Sequence, residues 1–151
     1  MASNFLQILN DLHDHRVEFV IVGGVAAALH GGSRVTFDLD VVPSLAQESW
    51  TAAVERIRDV EHIRRWRLEK NMLAMNFRSP DGSVEVDLLV SESDQFDALR
   101  ARAVTVTLGP RTFLVASIDD LIAMKRRAGR PQDTLDIAEL QEIQKRLKPE
   151  A

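Results

Sequence analysis

The sequence predicts an α+β fold: a mixed β-sheet with helices packed on one side and a helical C-terminal segment from about residue 117. Three observations carry that expectation. Val17–Val22 and Phe37–Val42 are short apolar runs of strand length, separated by a Gly-Gly turn and an Ala-rich stretch. Met72–Arg78 and Ser83–Val90 alternate on either side of Ser79-Pro80-Asp81-Gly82, the pattern of a hairpin. Ser117 and Pro131 each open a helical stretch, with Gly129-Arg130-Pro131 as the break between them.

The elements follow in order. Residues 3–16 suit an amphipathic helix, with Ser3 as N-cap and Phe5, Leu6, Ile8, Leu9 and Leu12 at helical spacing. Val17–Val22 is almost continuously apolar and fits a buried strand. Gly23-Gly24 ends it and opens a short helix, Val25–His30, closed by Gly31-Gly32. Phe37–Val42 is a second strand, stopped by Pro43. Ser44 caps a helix running to about Val60, with Gln47 completing a capping box. Arg64–Lys70 suits an exposed strand, and the hairpin comes next. A short helix covers Asp94–Arg100, and Val104–Leu108 and Thr112–Val115 flank Gly109-Pro110 as two more strands. The last two helices run from Ser117 to about Ala128 and from Pro131 to Leu147.

Composition bounds the class. A chain of 151 residues without repeats, low-complexity tracts or an evident linker is expected to form one domain, 1–151. Absence of cysteine excludes disulfides and thiolate metal sites. Met1–Asn10 lacks the basic start and apolar core of a signal peptide, and no apolar run approaches the ~20 residues needed to cross a bilayer. A cytoplasmic location with no membrane partner is therefore expected. The formal net charge of −4 argues against a dedicated nucleic-acid coat protein, although local charge is uneven.

Asp38 and Asp40 alternate along the second strand, so both face one side of the sheet. Two neighbouring carboxylates repel, and a divalent cation is the usual reason to keep them together. Mg2+ takes oxygen ligands and is often held by a few carboxylates plus substrate phosphates. An adjacent strand can add a third acid, and Val84–Leu89 offers Glu85 and Asp87 on one face. Three acids can hold two metals about 4 Å apart, one activating the attacking oxygen and one clamping the leaving phosphate. Gly23-Gly24, after a buried strand and before a short helix, places backbone N–H groups where a phosphate can approach closely. By itself a Gly-Gly pair is also an ordinary tight turn.

The order of these parts resembles the DNA polymerase β-like nucleotidyltransferase superfamily, whose signature is an apolar residue, Gly-Gly or Gly-Ser, a variable spacer, and Asp-x-Asp. Val22-Gly23-Gly24 and Asp38-Leu39-Asp40 match it across thirteen intervening residues. More narrowly, Gly23-Gly24-Val25-Ala26, His30 and Arg34-Val35-Thr36-Phe37-Asp38-Leu39-Asp40 are similar to small bacterial nucleotidyltransferases of the AbiEii toxin type. The stretch from Leu121 through Lys125 and Arg130 to Asp136 is similar to a Lys, Arg and Asp motif of the same proteins. The resemblance covers most of residues 17–140. It implies a polymerase β-like nucleotidyltransferase fold and nucleotidyl transfer from an NTP to an acceptor hydroxyl on RNA, protein or a small molecule. It also implies Mg2+ or Mn2+ on Asp38 and Asp40, with Asp87 as the third acid that activates the acceptor. Gly23 and Gly24 would hold the triphosphate with Ser33 or Arg34 beside them, and Lys125 would reach the phosphates. A toxin–antitoxin role with an antitoxin protein as partner remains open, as does a catalytically idle module that binds a nucleotide or a partner.

Other polar residues carry less. Lys125 sits at the edge of an apolar stripe made by Leu121, Ile122 and Met124, and can equally be a solvated helix lysine. Arg130, Asp133 and Asp136 read as a structural ion-pair set between the last two helices. His30 reads as packing or a cap, His13, His15 and His62 form no metal-spaced set, and Trp50 suits a helix core. Arg56, Arg58, Arg64, Arg65, Arg67, Lys70 and Arg78 make a basic concentration, either ordinary surface or a track for an anionic acceptor.

Overall fold

A computed structural model of the chain describes residues 3–33, 35–36, 38–45, 55–60, 63–70 and 73–147. Helix α1 (Ser3–Asp14) buries Phe5, Ile8, Leu9 and Leu12, the stripe expected from their spacing. It ends at Asp14 rather than at residue 16. Arg16 takes a left-handed conformation (φ 61°) and the Val17 N–H bonds back to Leu12 O at 3.0 Å, which closes the helix without a glycine. Strand β1 (Phe19–Val22) leads directly into α2 (Gly23–Leu29), which starts at the first glycine of the pair. Strand β2 is Asp38–Pro43. The helix expected from Ser44 to Val60 falls largely on residues 46–54, which lie outside the described residues, as does Trp50; residues 55–58 are helical.

Strands β3 (Arg67–Lys70), β4 (Met75–Arg78) and β5 (Glu85–Leu88) form an antiparallel meander. In the turn between β4 and β5, Ser79 Oγ, Ser83 N and Ser83 Oγ all donate to Asp81 Oδ1. These bonds, led by the Ser83 N–H, hold the Asp81 carboxyl down at about 2. A 3-10 turn (Val90–Gln95) precedes α3 (Phe96–Arg102), so the short helix lies later than expected from sequence. Strands β6 (Val104–Leu108) and β7 (Arg111–Val115) pair antiparallel. Helix α4 (Ile118–Ala128) is capped by Ser117, whose hydroxyl accepts the Asp120 N–H. It is closed by Gly129 in the left-handed region (φ 64°), whose N–H reaches Lys125 O. Helix α5 (Pro131–Leu147) completes the chain.

The seven strands form one mixed sheet in the order β3-β4-β5-β2-β1-β7-β6. Pairings of β2 with β5 and of β1 with β7 are parallel; the rest are antiparallel. Leu39, Val41, Val86, Leu88, Met75 and Phe77 share one face through their register and are all buried. Asp38, Asp40, Glu85, Asp87, Asn76 and Arg78 share the other. Strand β1 is buried at every residue, so the sheet is covered on both faces at its centre rather than on one side. The unbroken run Phe19-Val-Ile-Val22 is the sequence form of such two-sided burial, which alternation does not describe. None of the described helices is long and apolar enough to cross a membrane.

Candidate active site

The site is assembled where β1 turns into α2, against the carboxylate face of β2. Val22 pairs with Asp40, which sets the turn beside that side chain. Gly23 has φ +69°, and a Cβ there would lie 2.3 Å from Asp40 Oδ2. Glycine is thus required twice, by conformation and by contact. At Gly24 a Cβ would meet Thr36 Cβ and Cγ2 at 3.2 Å, and Thr36 Oγ1 accepts the Asp38 N–H. The loop before β2 therefore packs on the second glycine while the first packs on the carboxylate.

Parallel pairing of β2 with β5 places Asp38 opposite Glu85 and Asp40 opposite Asp87. The Asp40 and Asp87 carboxyls lie close enough to share a hydrogen bond when Asp40 holds its proton. Burial first, then repulsion from Asp87 and that hydrogen bond, push Asp40 up to about 7; Asp38 adds to the rise and Arg130 opposes it. Burial, Glu85 and Asp87 also raise Asp38, against Arg78. Strand β4 supplies a partner to each acid of β5. Asn76 Nδ2 donates to Asp87 Oδ1 at 2.7 Å, and Arg78 pairs with Glu85. Among the described residues, no three His, Asp or Glu side chains converge as a ready-made metal cluster.

A cavity of about 430 Å³ opens over this face, lined by Gly23, Gly24, Asp38, Asp40 and Lys125, with Glu139 of α5 at its wall. The fold thus brings together five of the eight residues expected at the site, and Arg130 and Asp136 line the cavity with them. Asp87 does not line it, but is the register partner of Asp40. Ser33 does not line it either. Its N–H and hydroxyl both bond Glu139, at 2.9 and 2.6 Å, tying the loop to α5. Arg34 lies outside the described residues. Lys125, with a side chain 14% exposed, has Nζ 3.1 Å from Asp136 Oδ2 and 3.7 Å from Asp133 Oδ1. Asp133 is buried, and three Arg130 donors, its N–H, Nε and Nη2, hold it at 3.0–3.1 Å. Those hydrogen bonds keep Asp133 below the usual carboxylate range. The ion-pair reading of Arg130, Asp133 and Asp136 thus describes their geometry, and Lys125 joins the same set. His30 Nε2 contacts Ala116 O at 2.8 Å, a packing role. A larger cleft, about 730 Å³, lies near Val17–Phe19 at the other end of β1 and holds none of these carboxylates, so size does not mark the site.

Asn76 and Glu139 were not anticipated. Counting outward from the Ser79–Gly82 turn pairs Arg78 with Glu85 and Asn76 with Asp87, so Asn76 was within reach of the hairpin pattern. Glu139 meets Ser33 across more than a hundred residues, and no local pattern announces that contact.

A Gly-Gly turn thus packs on a strand that bears two acids, and its parallel neighbour bears two more, within a mixed α+β sheet. Residues 3–148 match the family described as nucleotidyltransferase of unknown function (DUF6036), and the chain belongs to that family. No curated protein matches the sequence. Solved structures share the fold at low identity. The lincosamide antibiotic adenylyltransferase LnuA, lincomycin-bound, is 14% identical with a TM-score of 0.67, over 95% of this chain and 98% of that one. An antigenic nucleotidyltransferase-like protein from Paracoccidioides brasiliensis is 18% identical with a TM-score of 0.64, over 95% and 77%. ANT(2")-Ia in complex with adenylyl-2"-tobramycin is 14% identical with a TM-score of 0.64, over 97% and 88%. The family match bears on the nucleotidyltransferase class and does not single out the AbiEii type.

Proposed function

We propose that the chain transfers a nucleoside monophosphate from an NTP to an acceptor hydroxyl, using Mg2+ or Mn2+ held by Asp38, Asp40 and Asp87. The observation that carries this reading is the β2/β5 register, which sets Asp40 against Asp87 with Asp38 on the same face and Gly23 packed on Asp40. The donor chemistry fits a divalent cation. Asp40 is pushed up by burial and by Asp87, and a cation relieves the repulsion part of that cost. Among the described residues no three acids form a closed cage, and Mg2+ commonly completes its oxygen shell with phosphates and water. When bound, the cation neutralises charge on the reacting phosphate.

The residues of the chain would orient and move one proton. Gly23 and Gly24 let backbone approach the triphosphate, and Lys125 supplies a point charge at the opposite wall of the cavity. Arg34, and Ser33 if its bond to Glu139 opens, remain candidates beside them. Asp87 takes the proton of the acceptor hydroxyl. The acceptor oxygen bonds the α-phosphorus, the bond from that phosphorus to the bridging oxygen breaks, and pyrophosphate leaves. Positioning and electrostatics provide most of the acceleration in such a transfer.

The test is incubation of each radiolabelled NTP, with Mg2+ or Mn2+, against total RNA, total protein and a panel of hydroxyl-bearing antibiotics. Solved proteins of this fold that adenylate antibiotics justify the third arm, and the AbiEii resemblance justifies the first two. Label is expected in one fraction, and to be lost in Asp38→Asn and Asp40→Asn. NTP binding without transfer by the parent to any fraction would favour the idle binding module instead. Growth arrest on expression, relieved by a neighbouring gene product, would place the activity in a toxin–antitoxin pair.

A further inference from the structure

The polar face of β5 carries two acids, and β4 treats them differently. Glu85 is paired with the guanidinium of Arg78, so its charge is spent within the sheet. From β4, Asp87 receives the neutral amide of Asn76, whose Nδ2 lies 2.7 Å from Oδ1. A neutral donor fixes the carboxylate plane while leaving the charge in place. Asp87 is also the register partner of Asp40 on β2, so it stands between Asn76 of β4 and Asp40 of β2. Asn76 is half-buried on the carboxylate face, and its side-chain bond to Asp87 ties β4 to β5 there.

We infer that Asn76 is the positioning residue that aims Asp87 at the acceptor hydroxyl. The inference rests on the proposed nucleotidyl transfer, with Asp87 as proton acceptor. Asn76 touches neither nucleotide nor acceptor in this account; it acts through Asp87. Its effect therefore belongs to turnover and not to nucleotide affinity.

The experiment compares Asn76→Ala, Asn76→Gln, Asp87→Asn and Arg78→Gln in the acceptor fraction found with the parent. Pyrophosphate release, NTP calorimetry with Mg2+ and thermal unfolding are read on each. Asn76→Ala is expected to lower kcat about tenfold, equivalent to ~1.4 kcal/mol, with KM for NTP and calorimetric affinity unchanged. Asn76→Gln should recover part of the loss, because the amide donor is kept. Arg78→Gln, which breaks the other β4–β5 pair, should lower turnover less than Asn76→Ala does. A purely structural Asn76 would instead lower the melting temperature with kcat per folded molecule unchanged, and that result overturns the inference. If Asp87→Asn abolishes turnover while both Asn76 variants match the parent, only the role of Asn76 falls. If Asp87→Asn turns over like the parent, or the parent neither binds nor turns over NTP, the proposed function falls and this inference with it. An independent readout needs no acceptor: the side-chain amide proton signals of Asn76 should shift in Asp87→Asn and stay in Glu85→Gln. Unmoved signals in Asp87→Asn would mean the bond is absent in solution.

Discussion

Asp40 is the residue under greatest tension. Its folded-state pKa of about 7 stands above the ordinary 3.8, because it is buried next to Asp87. The folded state therefore binds this proton more tightly than the unfolded chain does. Its contribution to stability is fully present below about 3.8 and is lost as pH rises toward 7. In metal-free buffer, the melting temperature of the parent relative to Asp40→Asn is expected to fall across that window. At pH 8 the variant should melt several degrees higher, since ~1 kcal/mol moves a domain of this size by about 2–4 °C. A parent–variant difference that stays flat with pH would remove burial and Asp87 repulsion as the cause. Gly23 makes the complementary prediction. Alanine there pays about 1–2 kcal/mol for its left-handed backbone and drives Cβ against Asp40. Gly23→Ala should lose both stability and transfer, whereas Gly24→Ala, which meets only the Thr36 side chain, should lose less. Equal effects at the two glycines would contradict this ranking.

Among elements, α4 and α5 decide what Lys125 does. Its ammonium lies between Asp133 and Asp136 of α5 and also lines the cavity with the glycine turn. A charge-assisted bond is worth about 1.5–3 kcal/mol, so Lys125→Ala should raise KM for NTP about tenfold or more, and Lys125→Arg should restore it only in part. Salt should weaken NTP binding more in the parent than in Lys125→Ala. A lysine that only pins α4 to α5 gives another pattern: a lower melting temperature with NTP affinity and salt dependence unchanged. The ends of these helices were legible in the sequence because caps are local: Ser117, Gly129 and Pro131 each act within a few residues. The hairpin was legible for the same reason. The end of α1 was not, since a left-handed Arg16 takes the place that sequence rules reserve for glycine. Alternation put Asp38 with Asp40, and Glu85 with Asp87. It could not decide which acid of β5 faces Asp40, because register between strands distant in the chain is set by packing of the whole sheet.

For the whole molecule, the candidate site is a junction of three parts: a glycine turn, a carboxylate pair and the α4–α5 ion set. Ligand that spans them stabilises the fold by mass action. At about a hundred times its dissociation constant the gain is ~2.7 kcal/mol, or roughly 5–10 °C for this chain length. Mg2+ with a non-hydrolysable NTP should give such a rise in the parent and much less in Asp38→Asn. A rise of the same size in both would place the binding elsewhere.

The pairing of β2 with β5 also has a temporal side. Asp38 and Asp40 are synthesised early, whereas Asp87 follows only after β3 and β4. Parallel pairing across that separation closes a long loop, a slow kind of contact to form. A nascent chain emerging from the ribosome therefore carries Asp38 and Asp40 without their register partners until β5 docks beside β2. On the proposed role of these acids, a chain that ends before β5 is expected to bind nucleotide poorly and transfer none.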